Sequence, residues 1–414
     1  MSDDEFSDSS NSSNSSNSSN SSEKPNFDNF TLKLYGMVIN DYHFISKLGN
    51  GAFAEVWLTY NHIKDNFYAV KVQNHDSYQE AIDEVKLLRK LTKAPFTSQL
   101  QDTFIIKEKT NKYYGIVFSL YGNNLEKISK YKSYNKGLSE KLVLKFVKQS
   151  IKALEYLHKK LNVIHCDIKP DNFLVSILSS KTQEIIKLYN SNKFKDLYKS
   201  VKAEIGKQEL KKINDKNIRE KIHNQLLKNL NDLPSELIEE SIEDCNFYLT
   251  DFGGFCHIND KYNEDFGTRY YRAPENILVS EDIDYKVDVW SLGCTIYELL
   301  TNTILFESHK DNKYDRDQYH LAEIFQLGKM SKKEIKTCLR KKDFYNSDKS
   351  IKKLPSKNLS NVKEKLNNLP LYWKTFLVGM LTPSYKKRLS LGGVKKLITY
   401  LENQLDNNLK NIQN

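Results

Sequence analysis

The sequence predicts a two-lobed α+β fold, in which a small β-rich lobe precedes a larger helical lobe that carries a polar insertion. Three observations predict it. From Tyr42 to Phe118, short apolar stretches rich in β-branched and aromatic residues are separated by turn residues, as in strands. After Gly122 the apolar residues recur at helical spacing. Strands first and helices later argue for segregated lobes rather than alternating βα units. A chain of 414 residues is long enough to bury a core in each lobe.

The elements follow in order. Ser7 to Ser22 is almost wholly Ser and Asn. Such a stretch buries too little apolar surface to offset its chain entropy, so residues 1–33 are read as a disordered tail. The small lobe spans 34–121. His43–Leu48, Glu55–Tyr60 and Phe67–Val72 read as strands, the last two separated by the turn Lys64-Asp65-Asn66. Ser77–Leu91 reads as a helix with Ile82, Val85 and Leu88 on one face, and Lys112–Phe118 as a further strand.

The larger lobe spans 122–404, with a short tail at 405–414. Ser139 is a candidate N-cap for a helix to His158 that carries Leu142, Phe146, Ile151, Leu154 and Leu157. Tyr285–Leu300 and Tyr372–Leu381 are further apolar helices. Residues 177–244 interrupt the scheme. They are Lys-rich, then acidic from Asp232, with partial helical periodicity at Leu226, Leu227, Leu230 and Leu233. Their polarity predicts an insertion that is partly helical or flexible and packs little against the core.

Composition excludes several classes. No run approaches the roughly 20 apolar residues needed to span a bilayer. Met1 to Ser10 is acidic, unlike a secretory signal. Five Cys without a Cys-x-x-Cys pair argue against a disulfide framework or a zinc site, and hence for a reducing intracellular compartment, cytoplasmic or nuclear. The net charge of +10 would suit an acidic partner. The lysines, however, are interspersed with acids in polar stretches, as on a solvated surface. A monomer is expected, with no membrane or nucleic-acid partner.

The residues that carry chemistry lie on this frame. Leu48 and Gly49-Asn50-Gly51-Ala52-Phe53-Ala54 join two predicted strands. Glycines there let backbone amides approach phosphate oxygens. The strand that follows excludes a dinucleotide-binding turn, which needs a helix next. Lys71 sits among apolar neighbours in Tyr68-Ala69-Val70-Lys71 and needs an anion. Glu84 on the next helix can orient it toward phosphates, with Glu80 one turn earlier as competitor.

The most specific block is Val163-Ile164-His165-Cys166-Asp167-Ile168-Lys169-Pro170-Asp171-Asn172. Asp167 can take or orient a hydroxyl proton, and Lys169 can neutralise a γ-phosphoryl group. Asn172, together with Asp251 of Thr250-Asp251-Phe252-Gly253, offers the few oxygen ligands that suit Mg²⁺ beside phosphates and waters.

With Ala273-Pro274-Glu275 and Asp288-Val289-Trp290-Ser291-Leu292-Gly293, these motifs resemble the eukaryotic-type protein kinases from about Tyr42 to Tyr400. The resemblance implies a protein kinase fold, ATP and Mg²⁺, and transfer of the γ-phosphate of ATP to protein Ser or Thr. It also implies that Phe118 is the gatekeeper and that Ser119 and Tyr121 bind adenine through their backbone. Val56, Ala69 and Leu174 would sandwich the ring, and His165 and Phe252 would form part of the internal spine. Arg388 would pair with Glu275.

Lys169 and Gly267-Thr268-Arg269-Tyr270-Tyr271-Arg272 resemble the Ser/Thr-specific pattern, with Thr268 bridging Asp167 and Lys169. Within the family, Ala81–Leu88, Val117–Leu125, Leu305–His309 and the place of the insertion are similar to the SR-protein kinases, which act on Arg/Ser-rich proteins.

Departures are Ala54 for the third loop glycine, Cys166 where many kinases have Arg, and Tyr319 and Gln326 where the SR-protein kinases carry docking acids. Cys166 removes the cation that an activation-segment phosphate would balance, so constitutive activity is expected. A pseudokinase scaffold is the alternative to an enzyme. Loss of Lys71, Asp167, Asn172 or Asp251 would favour it, and all four are present.

Overall fold

The computed structural model describes residues 32–51, 54–191, 217, 220, 223, 224, 227, 239–258, 260, 266–348 and 350–413. The Ser/Asn-rich stretch, Ala52, Phe53 and Tyr262 lie outside the described residues.

Six strands form the small lobe: β1 (Val38–Ile39), β2 (Tyr42–Asn50), β3 (Ala54–Asn61), β4 (Asn66–Gln73), β5 (Leu100–Glu108) and β6 (Asn111–Ser119). They make one antiparallel sheet in the order β1-β2-β3-β4-β6-β5. Strand periodicity assigns the faces. Tyr68, Val70 and Val72 of β4 join Phe44, Trp57, Tyr113 and Val117 on one face, where Leu32 and Leu34 also pack. Ala69 and Lys71 therefore turn to the other face, toward the larger lobe. Strand β5 was not predicted. It is an edge strand whose Gln101, Asp102, Ile105 and Lys107 are exposed, so its apolar signal is sparse.

Helix α1 (Tyr78–Lys90) buries Ala81, Glu84, Val85, Leu87 and Leu88. In the larger lobe α2 (Glu140–Tyr156) begins at Ser139, whose side chain accepts the Leu142 amide at 3.3 Å. The predicted helix at 285–300 is α4 (Lys286–Thr301), buried along most of its length. Two short pairs, β7 (Val163–Ile164) with β10 (Cys256–His257) and β8 (Phe173–Val175) with β9 (Phe247–Leu249), lie beneath the small lobe. The insertion leaves after β8 and returns before β9, so the two strands it separates pair with each other.

The expectation that the insertion packs little against the core is overturned. Helix α3 (Ser180–Ser191) buries Thr182, Ile185 and Tyr189. The Tyr189 ring lies 5.1 Å from Tyr60 and 5.8 Å from Phe67 on the small lobe. Its hydroxyl meets His223 Nδ1 at 3.0 Å, and His223 Nε2 meets the Phe44 carbonyl at 2.9 Å. The carbonyl can only accept, so Nε2 carries the proton and Tyr189 donates to Nδ1. Gly36, at φ +77°, faces Asn224 so closely that a Cβ would meet its Oδ1 at 2.5 Å. The acidic end anchors on the larger lobe, where Glu239 accepts the Ser133 amide at 3.1 Å and Glu240 the Tyr131 hydroxyl at 2.6 Å. Isolated residues in a polar stretch, Tyr189 and His223 on the small lobe and Glu239 and Glu240 on the larger, make these contacts, which is why average polarity concealed them.

Candidate active site

The cleft between the lobes is built from strand ends and one buried acid. Lys71 on β4 places Nζ 3.0 and 2.9 Å from the two carboxylate oxygens of Glu84 and 2.9 Å from Asp251 Oδ1. Glu84 is buried on α1 while Glu80 is exposed, which decides between the two sequence candidates. Lys71 lies beside Asp251 and holds its carboxyl down, to about 2. Burial raises the Glu84 carboxyl against the opposing pull of Lys71. Burial also disfavours the Lys71 ammonium, but the two carboxylates outweigh it and raise its pKa.

The catalytic-loop residues are held from below. Asp288, buried at the start of α4, accepts the amides of His165 at 2.8 Å and Cys166 at 3.0 Å, and His158 Nε2 at 2.8 Å. These bonds hold Cys166 in the left-handed region, φ +72°. The chain then turns so that Asp167 enters the cleft. His165 donates from Nε2 to the Thr250 carbonyl at 3.1 Å and accepts the Asp167 amide at 3.3 Å. Its ring packs edge-on against Phe252 at 5.2 Å.

Asp167 accepts the Thr268 amide at 2.9 Å, Asn172 Nδ2 at 3.1 Å and Lys169 Nζ at 2.9 Å. Lys169 also donates to Thr268 Oγ1 at 2.7 Å. Burial would raise the Asp167 carboxyl, but Lys169 and Thr268 bring it below the usual carboxylate range. Asp167 is thus ionised at neutral pH and presents an acceptor. Pairing of β8 with β9 sets Asn172 beside Asp251, since Thr250 donates its amide to the Asn172 carbonyl at 3.0 Å. Asn172 spends its amide nitrogen on Asp167, which leaves Oδ1 as its available ligand atom.

The hydrophobic part of the cleft also assembles. Val56 pairs with Lys71, and Ala69 with Phe118, across β3, β4 and β6. Val56, Ala69 and Leu174 are half-buried, in contrast to the buried Leu58, Val70 and Phe173 beside them. They are apolar side chains that the fold covers only in part. Phe118 is buried, and the Tyr121 ring lies 4.6 Å from Tyr248 at a 40° tilt. Leu48, Gly49, Asn50 and Gly51 lead into the loop, where the Gly51 amide donates to the Ala54 carbonyl at 2.9 Å.

Residues 42–190 and 221–399 match the family model described as the protein kinase domain. The chain belongs to the protein kinase family. The kinase is 28% identical to the serine/threonine-protein kinase SRPK of Physarum polycephalum over 385 residues, covering 84% of this chain and 83% of that protein. It is 26% identical to protein kinase dsk1 of Schizosaccharomyces pombe over 353 residues, 68% of this chain and 64% of the relative. SRSF protein kinase 3 of Mus musculus is 24% identical over 419 residues, 72% and 74% of the two chains. A solved kinase domain superposes with a TM-score of 0.61 at 22% identity, covering 88% of this chain and 96% of the other, and supports the fold. The kinase is of the eukaryotic Ser/Thr type and similar to the SR-protein kinases, and it transfers phosphate from ATP to proteins.

Two features of the kinase were not foreseen. Arg269, beside Thr268, is held by the carboxylate of Asp317, which also accepts Arg340 Nη1 at 2.8 Å. Asp288, part of a helix motif in the sequence, organises the catalytic loop. The substituted docking positions have other work: the Tyr319 hydroxyl donates to Asp311 at 2.7 Å, and Gln326 bridges the Ser360 carbonyl and Val362 amide at 2.8 and 3.0 Å. No helix among the described residues is long and apolar enough to cross a membrane.

Proposed function

We propose that Asp167 orients the hydroxyl of a protein Ser or Thr and accepts its proton as the phosphoryl group transfers. The observation that supports this is the arrangement of Lys169 and Thr268 around an ionised, half-buried carboxylate. Lys169 neutralises charge developing on the transferred group, and Thr268 fixes both partners. Lys71, aligned by Glu84, positions the α- and β-phosphates of ATP. Leu48 to Phe53 cover the phosphates, while Val56, Ala69, Leu174, Phe118, Ser119 and Tyr121 hold the adenine ring.

Among the described residues no group of three or more His, Cys, Asp or Glu side chains could hold a metal ion unaided. Asn172 and Asp251 are hard oxygen donors on adjacent strand ends, which fits Mg²⁺ completed by phosphate and water. Bound there, Mg²⁺ supplies electrostatic stabilisation of the phosphates.

The substrate class we infer is serine beside arginine. Burial raises the Asp171 and Glu298 carboxyls, and each is further raised by Glu126. An arginine near the acceptor would relieve this concentration of negative charge beside the catalytic loop. Tyr319 and Gln326 are tied into structural bonds, so the preference rests on residues next to the acceptor rather than on a remote docking groove. A peptide array phosphorylated with ATP and Mg²⁺ tests both points. Arg-flanked Ser peptides should dominate, and Asp167→Ala should lower turnover by about 10² to 10⁴. Near wild-type turnover in a folded Asp167→Ala protein would remove the assigned role.

A further inference from the structure

We propose that Cys166 and Cys256 are a disulfide-forming pair, which a low-molecular-weight disulfide such as glutathione disulfide closes to cross-link the catalytic loop to the activation segment and stop phosphoryl transfer. The consequence for catalysis rests on the role given above to Asp167, whereas the cross-link itself does not.

Strand pairing brings the two cysteines together. β7 and β10 run antiparallel, with Cys256 opposite Ile164 and His257 opposite Val163. Residues so opposed have Cα atoms about 4.5–5.5 Å apart. Cys166 follows Ile164 by two residues, and its thiol folds back onto the Ile164 carbonyl, with Sγ 3.6 Å from the oxygen. The Cys166 sulfur therefore lies back along β7, toward the residue that Cys256 opposes. The two side chains are in contact: burial, first, and the Cys256 side chain, second, push the Cys166 thiol upward. Cys166 stands diagonally across the pair from Cys256, a placement with Cα atoms about 7–8 Å apart, so closing a disulfide, which spans about 4.4–6.8 Å, draws the two main chains together.

The pair is asymmetric in access. Cys166 is buried, and Cys256 is partly exposed, with its thiol toward the Gly254 carbonyl at 3.8 Å. Cys245, Cys294 and Cys338 are buried as well. Cys256 is thus the entry point. Its thiolate attacks one sulfur of glutathione disulfide, the S–S bond breaks, and one glutathione leaves as thiolate and takes up a proton. Cys166 then loses its proton to solvent and attacks the Cys256 sulfur of the mixed disulfide, and the second glutathione leaves. Two protein thiols and one glutathione disulfide become one protein disulfide and two glutathione thiols.

Closing the bond reaches the active site because Cys166 has no slack. Its amide is fixed by Asp288 at 3.0 Å, and its carbonyl faces Gly267 so closely that a Cβ there would lie 2.3 Å from the oxygen. Drawing its sulfur from touching distance to about 2.05 Å turns the Cys166 main chain. That displaces Asp167, the next residue, and Gly267-Thr268, which bonds it. A misplacement on the order of 1 Å lowers turnover by about 10².

The experiment equilibrates the full chain in glutathione buffers of graded oxidised-to-reduced ratio, alkylates the remaining thiols, and measures peptide phosphorylation beside tryptic mass spectrometry. The expected result is a peptide joined through Cys166 and Cys256 whose abundance tracks a loss of activity by about 10², reversed by dithiothreitol. Cys256→Ser should be as active as wild type in reducing buffer and keep that activity in oxidising buffer. Glutathione attached to Cys256 without the cross-linked peptide, or equal inactivation of Cys256→Ser, would overturn the proposal. A cross-link that forms without loss of activity would leave the pair standing and refute its link to Asp167.

Discussion

His223 of the insertion donates to the main-chain carbonyl of Phe44 on the small lobe, 2.9 Å away, and accepts from Tyr189 at 3.0 Å. The insertion starts and ends in the larger lobe, so this bond ties the two lobes together outside the cleft. Removing residues 180–231 would strip Tyr189 and His223 from the sheet and leave Tyr60 and Phe67 uncovered. Tyr189→Ala should destabilise the fold by about 3–5 kcal/mol, as for other buried aromatic truncations. His223→Ala should cost about 1–3 kcal/mol for each buried partner left unpaired. Thermal melting checks both, and an unchanged melting temperature in either variant would show that the insertion does not brace the sheet.

The same contact should be sensitive to acid. Burial lowers the His223 imidazole to about 4, against the opposing bond to the Phe44 carbonyl. An unfolded histidine titrates near 6.5. Below about pH 6.5 the unfolded chain gains a proton that the folded site refuses until about pH 4. The neutral site therefore contributes its full stability above that window and loses it as pH falls. Because His223→Gln cannot titrate, its melting temperature should lie furthest below wild type at pH 7 and approach it at pH 5. A constant difference between the two pH values would exclude His223 as the source.

Arg388 and Glu275 form a buried pair of two parallel bonds, one of them between Nη2 and Oε2 at 2.8 Å. The guanidinium also stacks on Trp290 at 4.9 Å and donates to the Lys286 and Thr382 carbonyls. Arg388→Ala removes the guanidinium donors from a buried carboxylate and from the Lys286, Thr382 and Pro383 carbonyls. The expected loss is about 3–5 kcal/mol, read as a clear drop in melting temperature. Arg388→Lys should restore little of it, because an ammonium cannot make the fork.

Cys166 is neutral and buried where many kinases place an arginine. No cation there awaits a phosphate on the activation segment, so the kinase should be active without one. Enzyme made in bacteria, treated with phosphatase and then freed of it, should phosphorylate protein from the first time point. A lag that ends only as Tyr262 or a neighbour becomes phosphorylated would contradict this.

Much of the site was legible in one dimension because its chemistry is local. Asp167, Lys169 and Asn172 fall within six consecutive residues, and an alternating strand shows that Lys71 and Val72 face opposite ways. The helical period exposes α2 and α4 in the same manner, and the choice of Glu84 over Glu80 needed only the face that α1 buries. Other features depended on distant partners. Asp288 reads as one more polar residue in a helix until its carboxylate is found beneath the His165 and Cys166 amides. Tyr189 and His223 read as parts of a solvated insertion until β3 and β4 supply the surface they cover. Strand β5 exists because β6 offers it an unpaired edge, not because its own residues alternate strongly. Periodicity and motif spacing record how a segment serves its own hydrogen bonds and its own apolar face. A buried polar group is stable only when a partner arrives from elsewhere in the chain, and that match is made by the tertiary fold alone.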